Sequence, residues 1–170
     1  RLRHTSNRTS RIVRYSSAEH EVDILVSGVG MVAAASWTSR ELARERYELA
    51  LNLGVCGSFN RALVPGMVVH VVSDCMAELG AENGDAFLTI QQMRLLGENE
   101  FPFERGRLVN AVPPPLRALA GLRTAHGITV NTVHGNDPSI QQVTERFSPD
   151  VESMEGAGFM YATLIHGVPF

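Results

Sequence analysis

The feature that most constrains this chain is a strand, turn, helix and strand in succession near its beginning. Val22-Asp23-Ile24-Leu25-Val26 is a short apolar run that stops at Ser27-Gly28-Val29-Gly30. A run of that length closed by glycines predicts a buried strand entering a turn. Val32 to Arg46 then predicts a helix. Alanine is plentiful there, Trp37 and Leu42 supply bulk, and Arg40, Glu41, Arg44, Glu45 and Arg46 form a charged face. Leu49-Ala50-Leu51-Asn52-Leu53 is a second apolar run, closing in Gly54-Val55-Cys56-Gly57. Strand, helix and strand with short connections make a βαβ unit, so a parallel sheet is expected at the centre.

The remaining segments fill in that plan. Before the unit, the alternation in Arg11-Ile12-Val13-Arg14-Tyr15 predicts an edge strand with solvated arginines, although a basic arm that grips an anion has the same composition. After it, Pro65-Gly66 marks a turn and Met67 to Val72 a third strand rich in β-branched residues. Residues 77–106 change character, mixing acids and glycines with Phe87, Phe101 and Phe103. An excursion this long that keeps its aromatics predicts a subunit interface or a substrate contact. Pro113-Pro114-Pro115 leads into a predicted helix from Leu116 to about Ala125. Gly127 to Val133 predicts a fourth strand, ending in the polar turn His134-Gly135-Asn136-Asp137-Pro138. A last helix follows Val151 to Gly158, and Val168-Pro169-Phe170 looks like the start of another strand.

Size and charge limit the function. A chain of 170 residues is expected to form one domain. Its formal net charge of -3 offers no overall attraction to nucleic acid or to an anionic membrane, so a small molecule or another protein is the expected partner. No apolar run approaches the roughly 20 residues that span a bilayer. Cys56 and Cys75 make no metal or redox spacing, so neither metal nor cofactor is expected, and a thiol-keeping cytoplasm is the simplest setting. The chain begins at Arg1 rather than Met, so its true N-terminus is expected to lie upstream.

Three glycine-bearing turns follow strands: Gly28 to Gly30, Gly54 to Gly57, and His134 to Asn136. In an open parallel sheet, ligands gather at such turns outside the carboxyl ends of the strands. The first turn formally matches a dinucleotide fingerprint as Gly28-x-Gly30-x-x-Ala33. That fold also wants an acid at the carboxyl end of its second strand, where this chain has Asn52-Leu53-Gly54, with Glu48 at the wrong end. Val151-Glu152-Ser153-Met154-Glu155-Gly156-Ala157-Gly158 suits a different ligand. Its two acids lie between a valine and an apolar helix, where an ionised carboxylate needs a partner. A carboxylate can accept from both hydroxyls of a ribose diol, and a methionine beside it offers a soft apolar wall. Glu155 reads equally well as a plain first-turn acid.

Taken together, VDILVSGVGMVAAA (Val22 to Ala35), NLGVCGSF (Asn52 to Phe59), PGMVVHVVSD (Pro65 to Asp74) and VESMEGAGFMYATLIHGVPF (Val151 to Phe170) resemble the nucleoside phosphorylase and nucleosidase superfamily. The resemblance covers almost the whole chain from about Glu21. It implies an α/β fold, a single-domain three-layer sandwich on a central mixed, mostly parallel sheet. It further implies hydrolysis of a purine nucleoside by a cytoplasmic homodimer or higher homo-oligomer. By position, Met154 and Glu155 match the Met-Glu pair that holds the ribose, with Glu155 catalytic and Glu152 matching the preceding acid. Ser153 is an extra residue relative to the methylthioadenosine nucleosidases. Val55, Cys56 and Gly57 match the turn against the nucleoside. Asn136 falls in the turn beside the base, and Ser139 where backbone meets the purine. Asn136 in place of an aspartate and Pro138 in place of an aromatic residue argue against adenine as the natural base. The family's water-activating glutamate and purine-protonating acid lie in segments outside these 170 residues, so a chain lacking the family's first strand and its last strand and helix is expected to be incomplete as an enzyme. The alternatives are another purine nucleosidase or phosphorylase, or a nucleoside-binding domain without turnover.

Overall fold

A computed structural model describes residues 1–170. In chain order the strands and helices are β1 (Arg3–Asn7), β2 (Ile12–Ser16), β3 (Glu21–Leu25), α1 (Met31–Leu42), β4 (Gly57–Ser58), β5 (Val69–Asp74), β6 (Gly80–Asn83), β7 (Ala86–Thr89), β8 (Leu108–Val109), β9 (Arg123–Thr129), α2 (Asp137–Phe147), β10 (Val151–Ser153) and α3 (Gly156–His166). The fold is mixed α/β. Its main sheet has five strands in the order β4-β10-β9-β5-β8, beside a three-stranded sheet β1-β2-β3 and the hairpin β6-β7. Parallel pairing is confined to the middle of the main sheet, β10 with β9 and β9 with β5, and both edges are antiparallel. No helix is long and apolar enough to cross a membrane.

Successive side chains of β9 point to opposite faces of the sheet, as strand geometry requires. Ile128 and Val130 pack with Cys75, Ala77 and Val143 of α2. Thr129, between them, bonds the backbone of α3. Helices therefore cover both faces. On the α3 side, Ala157 and Met160 pack with Leu108 and Phe103.

The amino-terminal βαβ expectation is only partly met. β3 belongs to the separate antiparallel sheet, paired with β2 in the register Ile12↔Leu25 to Ser16↔Glu21. Its apolar residues are not buried: Val22 is 37% and Ile24 50% exposed, and Val26, just beyond the strand, is 62% exposed. Residues 49–56 run without strand pairing, and Leu53 and Val55 stand 87% and 95% exposed. A strand needs a hydrogen-bonded neighbour as well as an apolar sequence. Ala50 donates to Pro169 O at 2.9 Å, and no ladder forms along 49–56.

The arginines also depart from expectation. β2 is the middle strand of its sheet, not an edge, and Arg8 and Arg14 close a network on Asp23. Arg14 grips both oxygens of Asp23 at 2.8 Å, Arg8 adds a third contact, and the Tyr47 hydroxyl donates at 2.5 Å. Glu41, expected on the charged face of α1, is buried and accepts from Arg8, with the Tyr47 oxygen 2.8 Å from its carboxylate. This network ties the first sheet to α1.

Residues 116–122 do not form the expected helix. Their backbone bonds span three residues, as in Leu119 N to Leu116 O, and Gly121 takes a positive φ of 92° that ends the turn before a helix can propagate. The following strand consequently starts at Arg123 and ends at Thr129.

α1 and α3 touch at backbone level. A Cβ added to Gly158 would lie 2.3 Å from Met31 O, closer than any real contact. Only glycine allows this crossing.

Candidate active site

The amino-terminal ends of α1 and α3 meet. Gly30 caps α1 and Glu155 caps α3, and Glu155 Oε1 accepts the Gly30 N–H at 2.9 Å. The Glu155 carboxylate thus lies where two helices present unsatisfied N–H groups and the positive ends of their dipoles. It is half-buried, as is Met154 before it. Ser153 steadies the turn by accepting the Gly156 N–H through Oγ at 3.0 Å.

Glu152 is only 5% exposed, and its partner is a histidine. Oε1 accepts the His134 N–H at 3.1 Å, and Oε2 lies 2.7 Å from His134 Nδ1. Gly57 pairs with Glu152 across β4 and β10, and a Cβ on Gly57 would sit 3.2 Å from Glu152 Cγ. The structure therefore brings Gly57, Glu152 and the His134 turn together. Asn136 is the N-cap of α2: its side chain accepts the Ser139 N–H at 3.0 Å, and Ser139 Oγ donates back to Asn136 O at 3.0 Å. That bond gives both residues a capping role, with Pro138 in the first turn. Val55 and Cys56 are exposed, and neither side chain makes a hydrogen bond.

Two groups were not singled out from the sequence. In sequence His134 belongs only to a polar turn, and the signal that marks it is a buried Glu152 in need of a donor. Asp74 is the other. It ends β5, is 2% exposed, and accepts the Thr129 hydroxyl at 2.9 Å. Thr129 Oγ1 in turn accepts the Ala157 N–H at 2.7 Å, in the first turn of α3. Two glycines make room for Asp74: a Cβ on Gly156 would lie 2.4 Å from its Oδ2, and one on Gly127 2.7 Å. The signal was a carboxylate closing a β-branched strand, a place where burial is expected.

Burial pushes the Asp74 carboxyl up to about 7, against the opposing pull of the Thr129 hydrogen bond and of Arg107. The native protein then holds a proton that the unfolded chain releases near pH 4. Stability from this group is fully present below that point and is lost as pH rises through about 7. Asp74→Asn should therefore unfold at a higher urea midpoint than the parent at pH 8. The gap should close toward pH 4, and a constant gap would refute the assignment.

No family model matches the sequence. Futalosine hydrolase of Acidothermus cellulolyticus is 33% identical over 160 residues, 87% of this chain and 60% of that protein. Futalosine hydrolase of Streptomyces coelicolor is 31% identical over 157 residues, 86% of this chain and 63% of that protein. This chain is a homologue of the futalosine hydrolases. It spans about three fifths of the length of these relatives. Among solved structures, 5'-methylthioadenosine/S-adenosyl homocysteine nucleosidase of Campylobacter jejuni superposes with a TM-score of 0.76 at 18% identity, over 99% of this chain and 72% of that one. The corresponding nucleosidase of Colwellia psychrerythraea, solved in complex with adenine, gives 0.74 at 18% identity, over 99% and 70%. The fold is that of these nucleosidases. The expected likeness to the nucleoside phosphorylase and nucleosidase superfamily is borne out in sequence similarity and in fold.

Proposed function

We propose that this homologue hydrolyses the N-glycosidic bond of futalosine and releases hypoxanthine, a step of menaquinone biosynthesis. The observation that carries the reading is the Glu155 carboxylate, fixed on Gly30 N–H where α1 and α3 begin. A carboxylate held there accepts from a ribose diol and faces the positive charge that grows on the sugar as the bond breaks. Met154, half-buried beside it, supplies an apolar wall for the sugar. The bond pair leaves with the purine, water adds to the anomeric carbon, and a proton reaches the departing base. The purine side falls to Gly57 and the α2 cap, where Asn136 and Ser139 are already engaged with each other.

The test is a product assay. The full-length protein is incubated separately with futalosine and with methylthioadenosine, and free hypoxanthine and adenine are followed by chromatography. Hypoxanthine release is expected. Adenine release alone would favour the methylthioadenosine nucleosidase reading, to which the fold likeness also leads. Base binding without release would leave a nucleoside-binding domain.

A further inference from the structure

Three consecutive residues open α3, and each is held by a different part of the molecule. Gly156 lies against the Asp74 carboxyl, where a Cβ would collide with Oδ2. The Ala157 N–H donates to Thr129 Oγ1 at 2.7 Å. Gly158 lies against Met31 O of α1. Asp74, Thr129 and Ala157 are all buried, so water does not stand in for any of these bonds. A hydroxyl carries a single proton. Thr129 gives its proton to Asp74 Oδ1 at 2.9 Å, which turns an oxygen lone pair toward the Ala157 N–H. That N–H is one of the first-turn donors a helix cannot satisfy by itself. Without an acceptor at Asp74 the hydroxyl proton has no fixed direction, and the seat of Ala157 is lost. Glu155, two residues earlier, caps the same turn and meets Gly30.

We propose that Asp74 and Thr129 are positioning residues: they seat the first turn of α3 and thereby place the Glu155 carboxylate on the Gly30 N–H. The consequence for catalysis rests on the nucleosidase reading above, whereas the placing of Glu155 does not. Ionisation of Asp74 strengthens its bond to the Thr129 hydroxyl and sets a negative charge under this turn, so the change reaches Ala157 and Gly30 in succession. The surrounding titratable groups are few. Arg107 attracts the Asp74 charge, but its guanidinium is bound to Ser73 Oγ and Gly127 O at 3.0 and 2.6 Å. The Cys75 thiol beside Asp74 is pushed up to about 11 by burial and stays neutral at neutral pH. On β9, His126 is bound to Ser73, and on β10, Glu152 is bound to His134. From α3 the charged group is Glu155 itself.

The experiment follows the backbone amide signals of Gly30 and Ala157 in ¹⁵N spectra of the full-length protein as pH is raised through about 7, the point to which burial pushes the Asp74 carboxyl. Both signals should move with one shared midpoint in the parent and lose that midpoint in Asp74→Asn. Thr129→Val keeps the shape of the side chain and removes its hydroxyl. It should displace the Gly30 signal and lower kcat by about tenfold or more, toward the hundredfold that a misplaced reacting group can cost, with a smaller change in KM. Thr129→Ser, which restores the hydroxyl, should recover most of that loss. A folded Thr129→Val with the Gly30 signal in place and kcat unchanged would overturn the proposal, whatever its melting temperature. So would a Gly30 titration that survives in Asp74→Asn, a result that decides the matter even where Thr129→Val does not fold. Absence of base release by the parent would overturn the nucleosidase reading alone, since the amide signals report the placing of Glu155 without substrate.

Discussion

Asp23→Ala is expected to cost about 3–5 kcal/mol of unfolding free energy, the scale seen when one member of a buried ion pair is removed. Its side chain is 4% exposed and receives Arg14 through two bonds, Arg8 through one and Tyr47 through one. Alanine would leave two guanidinium groups, 18% and 24% exposed, facing each other without the charge that separates them. Urea unfolding at neutral pH measures the loss, and a change within about 0.5 kcal/mol, as for an ordinary surface site, would refute the network's role. The Arg14 hydrogen bonds, with those of Tyr47 and Arg8, hold the Asp23 carboxyl far below the usual carboxylate range despite its burial. A depressed acid contributes stability above its unfolded value near pH 4 and loses it as pH falls below that. Asp23 and Asp74 therefore act in opposite directions and in separate windows, one under acid and one from pH 4 to about 7.

Glu155→Gln should lower kcat/KM for nucleoside cleavage on the order of 10² or more, comparable to removing one transition-state donor. Glutamine retains a carbonyl oxygen for the Gly30 N–H, so thermal unfolding should barely move. A steady-state assay with a melting curve on the same sample separates the two effects. An unchanged rate would return Glu155 to the role of a helix-start acid. A fall in rate with equal loss of stability would also count against a direct role.

The segments that the sequence revealed were those whose signal is local. The β-branched run of β5, the alanine-rich α1 and the apolar α3 form where their patterns place them, shifted by a few residues. Residues 49–53 carry an equally apolar pattern and make no strand, because pairing depends on neighbours that no local pattern encodes. α2 went unrecognised for the opposite reason. Its sequence is mostly polar and its only buried residue is Val143, so the start signal lay in Asn136 and Pro138 rather than in periodicity. The arginines misled through distance. Arg8 meets Glu41 across 33 positions, and at the level of sequence it is indistinguishable from a solvated charge. In the candidate site, the helix that begins after Glu155 was legible from residue type and order. The partner of Glu152, 18 positions away, was not, and neither was the burial of Asp74.

The crossing of α1 and α3 has a bearing on how the site could be mapped experimentally. The 2.9 Å contact between Gly30 and Glu155 exists because Gly158 has no side chain to hold Met31 away. A single methyl there would need about 1 Å of separation, a displacement that can cost an active site about a hundredfold. A search that removes functional groups one at a time would pass over this position, since it has none to remove. Here the spacing of the reacting parts is written in an omission, and adding an atom is the only mutation that reads it.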